Sequence, residues 1–409
     1  MKKNETNYLI GLSWLRFMLA LYLIIFHTIR NYHSAPDWFV AATSAGYVST
    51  SLFFILSGFI LTHVYFDSKG NLKTTKANFL FTRFFTLYPL HILGFLLAAL
   101  IMFLQYMSTG QVLVTADLPL YQGSSNSEKF ITIAIRAPEV LFNALLHLLT
   151  LHAWNPLYTT FNIPSWSISA LIFFYIIFAF IGKHLIRLKM PFFWLIFLNI
   201  LYLIPPLYFI YNNDYGNIAT AILHTNPIVR IPEFLSGVLL YAAIKKIKWP
   251  IIKGTHFISL LILLIAIQVL IIRSMIKYEA AGFYLVHNGA LLVFQLAIVT
   301  LFSKMPDMPF EKINTLIDRL GNATLSIFVL HLPLFYLFSK FEKIIKLNLS
   351  PDSSISFFQR LKEVELSLVF YPFIICAIMI ICVFVQENFV LKIRHPMRRF
   401  VERFYKTSH

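Results

Sequence analysis

"YLIGLSWLRFMLALYLIIFHTIR", residues 8–30, is apolar for most of its length yet carries Arg16 and His27 inside it. As a helix such a run reaches about 35 Å, enough to cross a hydrocarbon core of about 30 Å. An ionisable side chain in the middle of a membrane helix costs roughly 3 kcal/mol on insertion scales, so it marks a partner, a pathway or a site. Runs of similar length and polarity recur along the chain. We expect ten spans, at about 8–30, 45–66, 79–105, 165–183, 190–210, 228–245, 256–273, 281–302, 321–341 and 364–386. The expected fold class is all-α, a polytopic membrane protein.

Composition points the same way. Of 409 residues 58% are hydrophobic and only 13% are charged, with 42 phenylalanines, a balance foreign to ordinary soluble domains. The first run starts near residue 8, exceeds a signal h-region in length and lacks a small-x-small site before Asn31. It is expected to remain as a helix and not to be cleaved.

The net charge of +16 is explained by where the basic residues lie. Arg16, Arg83, Arg230 and Lys340 fall within spans, and the rest gather at helix ends and loops. With the N-terminus inside, the inner ends carry more than twice as many Lys and Arg as the outer ones, which is the positive-inside pattern. Both termini are therefore expected in the cytoplasm, with membrane lipid as a partner and nucleic acid not one. Cys376 and Cys382 sit six apart in the last span, on different helix faces, as core or lipid-facing residues. The spacing of Cys and His shows no metal-ligand set, so no metal and no permanently bound cofactor is expected.

No internal repeat or further soluble module is evident. One transmembrane unit is expected over 1–386, followed by a basic cytoplasmic tail, 387–409, able to lie on the anionic leaflet. "EVLFNALLHLLTLH", 139–152, is too short to span and reads as a re-entrant or interfacial helix. The preceding "VTADLPLYQGSSNSEKF", 114–130, centres on Gly123–Ser127, which reads as a mobile turn.

Polar residues inside the spans are the candidates for chemistry. Arg16 and His27 are eleven residues apart, which returns a helix to within about 20° of the same face and separates them by about 16 Å along the axis. Arginine suits phosphate or carboxylate, and neutral imidazole can take a proton from a hydroxyl. The pair fits anchoring of an anionic donor and general-base catalysis, or a purely structural pairing. "VSTSLFFILSGFI", 48–60, brings Ser57 and Gly58, suited to close helix packing. "FLFTRFFTLYPLH", 79–91, brings Arg83, a snorkelling residue or a second anion contact. In "NIPSWSISALIFFY", 162–175, Trp166 fits an interfacial belt. "VRIPEFLSG", 229–237, sets Arg230 and Glu233 three apart as a self-neutralising pair. His331 lies mid-span in "LGNATLSIFVLHLP", 320–333, where Pro333 frees backbone carbonyls.

Taken in order, these segments resemble the acyltransferase-3 family of integral membrane acyltransferases over essentially the whole chain. "LRFMLALYLIIFH" is similar to the family's Arg-x10-His helix, "LFFILSGFILT" to its second-helix signature and "TRFFTLYPL" to its basic third-helix motif. "NIPSWSIS", "RIPEFLSG" and "LGNATLSIFVLHLP" resemble its later motifs. The resemblance implies O-acyl transfer, commonly of acetyl, from cytoplasmic acyl-CoA to a hydroxyl of a cell-envelope glycan or lipid-linked sugar, in a bacterial inner membrane. It implies His27 as the catalytic residue, Arg16 and Arg83 as acyl-CoA contacts, and Ser57, Trp166, Ser167, Arg230, Glu233 and His331 as acceptor or supporting residues. Two positions depart from the pattern. Thr86 stands where a second arginine is usual, and Leu171 where a glutamate follows the tryptophan by five residues. A catalytically impaired relative acting as a scaffold, and a glycan or lipid carrier, are the rival expectations.

Overall fold

The structure, a computed structural model, describes residues 2–117, 130–247, 252, 254–305, 311–349, 360 and 363–393. Its helices are α1 (Lys2–Thr28), α2 (Asp37–Ala42), α3 (Gly46–Tyr65), α4 (Lys76–Thr109), α5 (Ala137–Leu148), α6 (Trp166–Ile186), α7 (Pro191–Tyr211), α8 (Asn217–Thr225) and α9 (Pro227–Ile244). They continue with α10 (Gly254–Ile276), α11 (Glu279–His287), α12 (Leu292–Ser303), α13 (Glu311–Asn322), α14 (Thr324–Leu349) and α15 (Tyr371–Val385). Among the described residues ten segments are long and apolar enough to cross a membrane, and each coincides with one of the ten expected spans. Their ends differ by several residues in places. The last extends from Tyr371 to Ile393 and starts later than expected because residues 368–370 form a turn.

Burial follows from position in the bundle. α3 and α9 are packed on most sides, whereas α7 and α10 leave Ile196, Ile200, Ile204, Ile262, Leu263 and Leu270 more than half exposed. Apolar surface on this scale suits a lipid surround, where exposure to hydrocarbon carries no penalty. Cys382 is buried and Cys376 exposed, both as free thiols.

Glycines let the central helices touch. A Cβ at Gly58 on α3 would run into the Phe234 carbonyl of α9, and one at Gly237 on α9 into the Ile55 carbonyl of α3. This reciprocal contact brings the two backbones together in the manner of small-residue membrane interfaces. Gly58→Ala should cost about 1–3 kcal/mol through overpacking, read as a lower melting temperature in detergent. An unchanged melting temperature would show that the crossing is not tight.

α4 is capped at its start by the Thr75 side chain, which accepts from the Asn78 N–H, and is ended by left-handed Gly110 at φ +70°. An antiparallel hairpin follows, β1 (Val112–Asp117) paired with β2 (Phe130–Ile135), with Val112 opposite Ile135 and Asp117 opposite Phe130. The all-α expectation includes no strand here, although "VLVTAD" and "FITIAI" carry the β-branched residues that favour one. The turn at Gly123–Ser127 lies outside the described residues, as does the tail from residue 394. α5 is a 12-residue helix, too short to span. It turns Leu141, Phe142, Leu145 and Leu148 outward and buries Asn143 and His147, so its polar face is the one held by the bundle.

Candidate active site

A cavity of about 500 Å³ opens between α1, α3, α4, α6, α13, α14 and the end of α15, and Arg16, Arg83 and Arg319 all line it. Close packing positions Arg16. At Gly321 a Cβ would meet the Ser13 backbone, and through this approach Ser13 Oγ donates to Asp318 Oδ1 at 2.9 Å while accepting from Arg16 Nη2 at 2.9 Å. The guanidinium is steered by a fixed chain of two hydrogen bonds. Its Nε–H is buried without a hydrogen-bond partner among the described residues.

Arg83 projects from the first turns of α4. Its Nη2 donates to the Tyr65 hydroxyl at 2.7 Å, and its guanidinium carbon lies 4.6 Å from the centre of the Tyr65 ring, a cation–π arrangement. Here too the Nε–H has no partner among the described residues. A buried donor left unmade costs roughly 1–3 kcal/mol. Both arginines line the cavity, although their Nε atoms themselves are closed off from it.

The third arginine was missed in the sequence. Arg319 makes a two-pronged pair with Glu387, Nε to Oε1 at 2.7 Å and Nη2 to Oε2 at 2.9 Å. These hydrogen bonds hold the Arg319 guanidinium above its ordinary value. Glu387 and Gln386 reach the cavity from a π-helical stretch, Gln386–Val390, that continues α15. The Gln386 side-chain oxygen Oε1 accepts from the Ser326 hydroxyl at 2.8 Å. Such widened turns re-aim side chains and recur at functional sites. Arg319 sits directly before the "LGNATL" segment, and an arginine at a helix end beside a recognised segment was the available signal.

Thr86 and Leu171, the two departures from the family pattern, both line this cavity. The Thr86 hydroxyl turns back to the Thr82 carbonyl at 2.7 Å. Leu171 packs at the edge of the apolar core. Ser57 and Ser167 also line the cavity. Ser57 shares a hydrogen bond of 3.2 Å with the Tyr175 hydroxyl, and Ser167 donates to the Pro164 carbonyl at 2.9 Å.

His27 and His331 meet one layer beyond the cavity wall, with ring centroids 5.2 Å apart. Phe328, which lines the cavity, is in edge contact with His331. His331 is fully buried, and its Nδ1 lies 3.0 Å from the Ile327 carbonyl and 2.9 Å from that of Phe328. Carbonyls only accept, so Nδ1 carries the proton and Nε2 keeps its lone pair. That Nε2 is buried with no partner among the described residues.

Trp166, Arg230 and Glu233 are not brought into the cavity. Arg230 and Glu233 form a fully buried pair at 3.1 Å. Arg230 donates to the His287 carbonyl at 2.9 Å and to Ser51 at 3.1 Å, and Tyr202 donates to Glu233 at 2.8 Å. Phe54 and Trp166 rings each lie 5.9 Å from the guanidinium. This network ties α9 to α3, α7 and the end of α11.

A third polar cluster occupies another part of the fold. His91, His147 and His152 stack together, the last two with centroids 3.9 Å apart. Burial pushes the His147 imidazole well down and that of His152 down to about 3, so both are neutral at physiological pH.

A family model described as an acyltransferase domain, of the acyltransferase-3 type, matches residues 9–387. "Acyltransferase MdmB" of Streptomyces mycarofaciens is 29% identical over 188 residues, 44% of this chain and 40% of that protein. "Protein 2 in picA locus" of Rhizobium radiobacter is 32% identical over 99 residues, 24% of this chain and 48% of that protein. The matched segments thus span less than half of these relatives. No solved structure matches.

Proposed function

We propose a function from one premise: the chain belongs to the acyltransferase-3 family and is a membrane acyltransferase. We take the donor to be acyl-CoA, most simply acetyl-CoA, and the acceptor to be a hydroxyl of a cell-envelope glycan or lipid-linked sugar. The observation that carries this reading is the cavity of about 500 Å³ lined by three arginines, Arg16, Arg83 and Arg319. Phosphates of a nucleotide donor would pair with such guanidinium groups through charge-assisted bonds. Arg16 and His27 stand about 16 Å apart along α1, so a donor anchored at the arginines needs a long arm to bring its reactive end to His27.

In the proposed reaction His27 accepts the proton of the acceptor hydroxyl as its oxygen attacks the thioester carbonyl. The carbon–sulfur bond breaks, and the imidazolium returns the proton to the departing thiolate. His331, held as a neutral tautomer by two backbone carbonyls, sets the orientation of the neighbouring His27 ring. On this reading the arginine end of the cavity faces the cytoplasm across an inner membrane, where acyl-CoA is made, and the excess of Lys and Arg at the inner helix ends supports that orientation.

The test is equilibrium binding of acetyl-CoA to the purified protein in nanodiscs, together with release of free CoA thiol. Each arginine contact is worth about 1.5–3 kcal/mol as a charged hydrogen bond. Arg83→Gln should therefore weaken binding roughly 10-fold to 100-fold, by the same scale. Failure of the starting protein to bind acetyl-CoA would overturn the donor assignment. A Leu171→Glu variant separates the remaining question. Thiol release that appears only in that variant would mark the present chain as an impaired relative, since Leu171 faces the cavity where the family pattern has a carboxylate.

A further inference from the structure

We propose that His91, His147 and His152 form a binding site for one divalent transition-metal ion of the zinc class, independent of the acyl-donor cavity. The three histidines come from three elements: α4, α5 and the 3₁₀ turn His152–Trp154. One ring nitrogen from each lies within 4.8 Å of those of the other two. Centroids are 3.9 Å apart for His147 and His152, 5.1 Å for His91 and His152, and 5.8 Å for His91 and His147.

Each ring has a hydrogen-bond partner on one nitrogen, always Nε2, and at His91 that partner fixes the tautomer. His91 Nε2 is 2.9 Å from the His147 carbonyl, which can only accept, so that nitrogen bears the proton and Nδ1 the lone pair. His147 Nε2 meets the Thr160 hydroxyl at 3.3 Å and His152 Nε2 the Ser165 hydroxyl at 3.2 Å. All three Nδ1 atoms are buried without a hydrogen-bond partner among the described residues. Metal-bound histidines are arranged this way, with one nitrogen fixed by an outer partner and the other free for the ion.

A bound ion would satisfy three buried lone pairs at once. Left alone, each costs on the order of 1–3 kcal/mol as an unmade hydrogen bond. His91 and His147 are at most 1% exposed, so solvent does not relieve them. A small cavity of about 10 Å³ adjoins His147 and His152, lined also by Asn143, Thr160 and Asn162. That is about the space of one water, which could complete a four-coordinate shell. Imidazole donors without thiolate favour zinc, copper, nickel and cobalt over magnesium and calcium.

The rings stand within 9° of parallel, so their in-plane lone pairs converge on an ion only after rotation. His152 is the least buried of the three and sits in a single 3₁₀ turn, so its ring is the one whose rotation the proposal requires. The ion would clamp α5, whose outward face is apolar, against α4 beside the Ser165–Trp166 turn. It acts as a structural staple, and no step of the proposed transfer passes through it.

The experiment uses full-length protein purified through a tag without histidine, stripped with chelator and dialysed against Co²⁺ or Zn²⁺. One equivalent per chain is expected by elemental analysis, and Co²⁺ should give an intense visible absorption of low-coordinate nitrogen ligation. Zn²⁺ should raise the melting temperature of the stripped protein. His147→Gln and His91→Gln should abolish both signals, while His33→Gln, at an exposed position, keeps them. No cobalt spectrum and no thermal shift in the unsubstituted protein would overturn the proposal, whatever the variants do. Metal retained equally by the folded His147→Gln protein would also overturn it.

Discussion

His27→Ala is expected to lower acyl transfer by about 10²–10⁴-fold, the range that a positioned general base supplies. The loss should fall on kcat, with the KM for the acyl donor changed less than about twofold, because interactions made only in the transition state lower kcat alone. The geometry supports this separation. His27 lies one layer from the cavity, against His331, which in turn meets the cavity-lining Phe328, while the arginines that would hold the donor lie elsewhere on the wall. Wild-type turnover in a folded His27→Ala protein would remove His27 from the mechanism. His331→Gln provides the complementary case. A positioning role predicts a smaller fall in kcat and an altered pH profile for His27, whereas an unchanged pH profile would reduce His331 to packing.

The second large effect concerns stability. Glu233→Ala leaves the Arg230 guanidinium buried without its carboxylate, and breaking a buried pair from one side costs about 3–5 kcal/mol. Against a total of roughly 5–15 kcal/mol for a folded domain, that loss should sharply reduce the yield of monodisperse protein and its melting temperature. Tyr202 would also lose its acceptor at 2.8 Å. Arg230→Met combined with Glu233→Leu removes both charges, and replacing a buried pair by apolar residues is often neutral or stabilising. The double variant should therefore be more stable than Glu233→Ala. If the single variant melts with the parent, the pair is not holding α9 to its neighbours.

Several features were legible from local pattern. Helix-length apolar runs located all ten candidate spans because the bilayer imposes one length on every crossing. Arg16 and His27 could be placed on one face because helical periodicity is fixed. The hairpin after α4 was passed over, although its β-branched residues were visible, since short strands compete with loop readings when no partner is in view. Arg230 and Glu233 were recognisable as a pair by their spacing. Whether they faced the cavity was not.

What the sequence by itself determined is a helical membrane protein of ten apolar spans, which rests on composition and spacing along one chain, and its likeness to a family, which rests on the wording of its motifs. Only the tertiary structure decided which polar residues share a space. Arg319 and Glu387 are 68 residues apart and meet at the cavity, together with the departures Thr86 and Leu171. His91 and His147, 56 residues apart, join His152 in one stack. Apolar spacing says that a helix is buried in the bundle, and it is silent on which neighbour each face meets. Close approaches such as Gly58 on Phe234 and Gly321 on Ser13 choose those neighbours, and with them the partners of every buried charge.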